Sequence, residues 1–164
     1  GARLGLIAAV VLHIWSAIQL KRISAAARPV GYAKYTPRGS TFASRTMYWG
    51  GLFLALYLVF HILHFTTGTV HFAGFEEGKV YQNVVNAFRS PFMTALYVVA
   101  MVFLGLHLYH GTWSAMQTLG LDNPDRNQAF RHLARAVSLV VAVGRALVPM
   151  AVFVGLVPQS PAAQ

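Results

Sequence analysis

Apolar residues in this chain fall into four long runs separated by polar, turn-rich segments. The runs read about 4–20, 46–67, 91–118 and 130–156, near the ~20 residues that cross ~30 Å of hydrocarbon. A backbone in lipid must satisfy its own N–H and C=O groups, so each run is expected as a helix. The expected fold class is all-α: an integral membrane bundle of four transmembrane helices. It reads as one transmembrane helical domain over 1–158 with a flexible tail over 159–164. No internal repeat or low-complexity tract stands out.

Local signals agree with these limits. Lys21 and Arg22 follow the first run, and Gly31 and Gly39 give the next segment turn character. Tyr48 and Trp49 stand where an interfacial aromatic belt is expected. Ser90 and Pro91 suit a helix start, with proline at the first helical position. Pro149 falls inside the fourth run, where a kink is tolerated.

Composition sharpens the picture. Hydrophobic types make up 56% of the 164 residues and charged types 10%, against about 25% charged in a soluble domain. The net charge of +9 does not indicate nucleic acid, because most of the cations lie between the runs and form no stripe or face. Six of them, Lys21, Arg22, Arg28, Lys34, Arg38 and Arg45, mark the segment after the first run. Arg126, Arg131 and Arg135 follow the third. The positive-inside rule places both segments in the cytoplasm, with the segment after the second run and the C-terminus outside. With no cysteine, the chain offers no disulfide and no thiolate ligand. An apolar run starting almost at Gly1, without signal-peptide flanks, leads us to expect a truncated N-terminus.

Five of the seven histidines fall inside the apolar runs: His13, His61, His64, His107 and His110. Ionisable groups in a bilayer core are costly and usually functional, and neutral imidazole is a standard axial ligand for haem iron. A haem needs two histidines from different helices at one depth. His13 lies eight residues before Lys21 and His107 ten before Gln117, which puts them ~12 and ~15 Å from the cytoplasmic end. His61, sixteen residues after Arg45, is ~24 Å deep and has no depth-matched histidine in this chain. Expected from this are a His13–His107 pair on one haem b, and His61 as half of a second site. Ala9 and Ala17 around His13, and Gly111 after His107, are small residues one turn away on the ligand face; around His61 those positions hold Tyr57 and Phe65.

The alternative for any single intramembrane histidine is a hydrogen bond between helices. That reading is preferred for His64 and His110, with propionate or quinone contacts as other uses. His71 and His132 are expected to be solvated. Arg145, mid-run and with no acid in any run, needs a partner: a haem propionate, a quinone oxygen or an acid from another chain. Ala134, Ala136, Ala142, Gly144 and Ala146 read as close helix packing.

These residues resemble the cytochrome b membrane anchor of the succinate dehydrogenase/fumarate reductase (succinate:quinone oxidoreductase) family, single-subunit dihaem type. The resemblance covers about 4–156. It rests on His13 ahead of a basic end, on GLFLALYLVFH with Gly51 ten residues before His61, and on SPFMTALYVVAMVFLGLHLYHGTWS. In the last segment His107, Gly111 and Trp113 form an HxxxGxW pattern. The family anchor has five helices, and four histidines on the first four bind two haems. This chain matches the second to fifth. The resemblance then implies His13 and His107 as iron ligands of the haem nearer the dehydrogenase and His61 as a ligand of the outer haem, whose partner belongs on a first helix without counterpart here. It also implies a flavoprotein and an iron–sulfur partner, a quinone acceptor (menaquinone), the bacterial plasma membrane, and a place in respiratory complex II of the tricarboxylic acid cycle. The chain itself carries no succinate chemistry; its cytoplasmic cations Arg28, Lys34, Arg38 and Arg126 would dock the soluble subunits. A higher oligomer is compatible with this. The family's quinone-site acid has no counterpart; Trp15, Ser16 and His110 are the expected quinone-side residues, and Arg145 matches no family position.

Competing readings are the cytochrome b anchor of another quinone-linked dehydrogenase and a haem-free transporter or proton pathway. The first differs only in its partner. The second needs acids or broken helices along a polar route, for which only Arg145 and Pro149 speak. A haem-free anchor whose histidines help hold an iron–sulfur cluster would need cysteines from elsewhere.

Overall fold

The computed structural model describes residues 1–27, 30, 41–71, 74–121 and 123–158. The loop residues Arg28, Pro29, Gly31, Lys34, Pro37, Arg38 and Gly39 and the tail 159–164 lie outside them. The described residues are helical: α1 Ala2–Ala26, α2 Phe42–Phe65, α3 Val80–Phe88, α4 Pro91–Thr118 and α5 Asn127–Phe153, with no strand among them. All but α3 are long and apolar enough to cross a membrane. Their outer faces carry Leu56, Leu139 and Val140 at 64%, 61% and 73% exposure. Apolar surface on that scale is suited to lipid and not to water. The architecture is therefore an all-α, multi-pass membrane type.

The chain forms two compact units, Gly1–Gly39 and Ser40–Gln164. The first contains α1, which buries none of its residues. Lys21 and Arg22 fall inside this helix, one turn earlier than its end, because Lys-Arg-Ile-Ser-Ala-Ala contains nothing that stops a helix.

In the second unit α4 packs most extensively on α5 and next on α2, with α3 against all three. The local chemistry sets the helix ends. Thr41 Oγ1 accepts the N–H of Ser44 at 3.1 Å, so α2 starts four residues before the apolar run and takes in Arg45. Ser90 caps α4 by accepting the N–H of Met93, and α4 has the limits read from its sequence. At the other end Leu121 N–H reaches Met116 O and Gly120 N–H reaches Gln117 O. The same pair of bonds, Leu156 to Ala151 and Gly155 to Val152, closes α5. Both are Schellman turns requiring a left-handed residue, and Gly120 and Gly155 have φ of 70° and 79°. That geometry ends α5 at Phe153, three residues short of the hydrophobic run.

The segment after α2 contains a helix that the run pattern leaves out. Val80, Val84, Val85 and Phe88 recur at helical spacing, and α3 buries Asn83, Val85, Ala87 and Phe88. Asn83 holds the approach to it: its Nδ2 donates to the Glu76 carbonyl at 2.8 Å and its Oδ1 accepts the Glu76 N–H at 3.1 Å. Thr94 Oγ1 donates to the Phe88 carbonyl at 2.8 Å and joins α3 to α4.

Close approach of α4 to α5 depends on small residues. A Cβ on Gly105 would stand 3.1 Å from that of Ala142, and Ser138 and Ala134 are buried one and two turns earlier on α5. Ala136 and Gly144, expected in this seam, lie exposed on another side of the helix, because the seam recurs every fourth residue. Pro149 is buried within α5.

Two outcomes follow. Gly105→Val should separate α4 from α5 and destabilise the folded unit by about 1–3 kcal/mol, read as a lower denaturation midpoint in detergent. Asn83→Leu should leave both polar groups of Glu76 without their partner, at about 1–3 kcal/mol. Tryptic cleavage after Lys79 should then accelerate about tenfold or more.

Candidate functional site

α2 runs antiparallel to α4, and the polar side chains between them stand at two levels. At one level α2 supplies His61 and His64, and α4 supplies Tyr97. His64 is 1% exposed, and its Nδ1 is 2.8 Å from the Tyr97 hydroxyl. His61 Nδ1 lies 3.4 Å from the same oxygen. One hydroxyl thus joins two imidazoles one turn apart on α2. Aromatic rings enclose the group: Tyr57 stacks on His61 at 5.9 Å, Phe60 lies 5.2 Å from His64, and Phe65 and Phe88 lie edge-on to Tyr97.

His71 belongs to this cluster. Expected to be solvated, it is partly buried, with its ring 4.8 Å from that of His64. Its Nε2 donates to the Asn83 carbonyl at 3.1 Å. Its Nδ1 is buried and without a hydrogen bond among the described residues. The cause is α3, which folds the segment back over the end of α2.

The second level is ten residues further along α4, ~15 Å away. There the partly buried His107 faces α2 at Gly51. A Cβ on Gly51 would meet His107 Cε1 at 3.7 Å and Nδ1 at 3.9 Å, ordinary van der Waals distances, so the imidazole lies directly against α2 at this position. A cleft of about 160 Å³, open space included, runs beside it between Thr46, Met47, Gly50, Phe103 and Leu106. Gly111 and His110 follow on α4, both partly buried. Trp113 is engaged by Arg131, whose guanidinium carbon lies 4.4 Å from the ring centroid. Arg131 Nε in turn donates to Asn127 Oδ1 at 3.0 Å.

Arg145 is on an exposed face of α5 and makes no ion pair among the described residues. It lies near enough to Tyr57 and His61 to belong to the first level. His132 is exposed and bonded to Gln128. In the other unit His13, Trp15 and Ser16 sit on exposed faces midway along α1.

How well does haem suit these residues? Imidazoles in apolar helices, with no thiolate and no membrane carboxylate, form a donor set that suits haem iron or zinc and does not suit calcium. His107 is held between α4 and α2 at Gly51, where an axial ligand would stand on one helix and face another. His64 and His71 do not form an axial pair, since their rings are in contact and leave no layer for a porphyrin. The cleft by His107 falls well short of the about 300–1,000 Å³ that a ligand of that class needs. Among the described residues no group of three or more His, Cys, Asp or Glu side chains could hold a bare metal ion.

Sequence reasoning passed over Tyr97 and Asn83. The signal for Tyr97 was a hydroxyl in an otherwise apolar run, which must find a partner when buried. Asn83 carried no comparable signal, because its role depends on α3. No family model, no curated protein and no solved structure matches this chain.

Proposed function

We propose that this chain is the haem b-binding membrane anchor of a succinate:quinone oxidoreductase in a bacterial plasma membrane. In this reading it passes electrons between an iron–sulfur subunit, itself joined to a flavoprotein, and a membrane quinone such as menaquinone. The observation that carries it is the seating of His107 against Gly51, two residues of the sequence pattern brought together by α2 and α4. The separation of His61 and His107 into two levels supports a two-site arrangement.

His107 and His13 would hold the inner group and His61 the outer one, with Arg145 beside the outer site for a propionate. Bis-histidyl haem, when bound, supplies reversible one-electron transfer. The chain's own part is to orient the imidazoles, keep water from them with Phe53, Phe103, Tyr57 and Phe60, and answer buried charge. Gly111, one turn after His107, leaves room on the ligand face. Trp15, Ser16 and His110 are the quinone-side residues in this reading. Exposed Lys21, Arg22, Arg126 and Arg135 offer positive charge to the soluble subunits.

Haem b per chain, measured by pyridine haemochrome in the purified complex, tests this for wild type and His107→Ala. Two haems with one lost in the variant support the dihaem anchor. One haem abolished by the variant leaves His13 and His107 as the pair. No haem in the wild type sinks the reading and turns attention to a haem-free polar pathway through the His–Tyr cluster. Gly51→Leu should lose the same haem as His107→Ala, because the larger side chain occupies the imidazole's seat.

A further inference from the structure

The Tyr97 hydroxyl has one hydrogen and two imidazole neighbours. With one hydrogen it can donate to only one of them; the other must donate to its oxygen. We assign the hydroxyl hydrogen to the shorter contact, 2.8 Å to His64 Nδ1, because a phenol is the stronger donor of the two groups. The 3.4 Å contact to His61 Nδ1 is then an N–H donating to the phenol oxygen. His64 is buried, and Tyr97 is 5% exposed within the core of Val85, Phe88, Met93 and Val152. Packing from three helices therefore fixes the hydroxyl, while His61 remains only partly buried.

We propose that Tyr97 is the positioning residue of His61. It accepts the Nδ1–H of His61 while donating to His64, and this selects the His61 tautomer whose Nε2 carries the electron pair. A ligating histidine needs its second nitrogen held in this way, and such a bond raises the basicity of the ligand. His64 orients the hydroxyl and is not itself a ligand. The tautomer assignment stands on the hydrogen bonds alone; its use for iron rests on the function proposed above.

Two measurements separate these layers. In the full chain, ¹⁵N-histidine labelled and reconstituted in lipid bilayers, solid-state NMR should show His61 protonated at Nδ1 and bare at Nε2. The resonance is assigned by its loss in His61→Gln. A His61 protonated at Nε2 in the wild type overturns the proposal, whatever the haem content. His64→Leu removes the acceptor of the hydroxyl hydrogen, which should turn to His61 and convert its signal to the Nε2–H form. An unchanged His61 signal in that variant would also overturn it.

In the purified complex, Tyr97→Phe should keep the haem count, since the ring still fills the core. It should raise the midpoint potential of one haem and shift the g-values of its ferric signal, leaving the other haem unmoved. Unaltered potentials and g-values would show that Tyr97 does not act through His61. Absence of haem from the wild-type complex would refute the anchor function, with the NMR result still deciding the tautomer.

Discussion

A hydroxyl or imidazole inside a bilayer has no water to turn to, and an unanswered polar group there costs several kcal/mol. The His64–Tyr97 hydrogen bond meets that constraint, and much of the second unit is arranged around it. It ties α2 to α4 at a fixed register. The rings of Phe60, Phe65 and Phe88 close over it, and the packing of Phe88 brings α3 into place. His71 can then lie on His64 only because α3 returns the chain and presents the Asn83 carbonyl. Removing the hydroxyl would leave α2 and α4 joined at this level by apolar contacts alone.

The other organising feature is absence of bulk. Gly105 brings α4 within a methyl contact of α5, and Gly51 brings α2 within contact of His107. Together with the hydroxyl at the opposite level, these contacts hold α4 between its two neighbours at both ends. The candidate ligands lie on that held helix and on α2. Both levels are therefore stiff where ligand geometry would matter, while the exposed faces of α2, α4 and α5 remain greasy.

Legibility in the sequence followed the range of the forces involved. The four spanning helices could be read because lipid imposes length and apolarity on each segment separately. α4 was placed to the residue because its cap, Ser90 with Pro91, is a local device. α2 and α5 moved by three or four residues, since Thr41 caps α2 ahead of its hydrophobic run and the left-handed Gly155 closes α5 inside its own. α3 was missed because nine residues cannot announce a membrane span, and its stability comes from docking. His107 and His61 were singled out by depth, a one-dimensional property. Tyr97, His71 and Asn83 were not, because their partners lie 7 to 36 residues away in sequence and only the fold brings them together.

Pro149 stands one helical turn after Arg145 on α5. Proline has no N–H to return to the carbonyl four residues earlier, and that carbonyl belongs to Arg145. The helix rung missing from α5 and its mid-helix guanidinium thus share one turn, at the level of Tyr57 and His61. A cation and an undonated carbonyl at one residue make an amphoteric spot, able to answer an acceptor and a donor at once. The apolar length of α5 is interrupted there by backbone and side chain together, and the turns on either side meet lipid with their ladder complete.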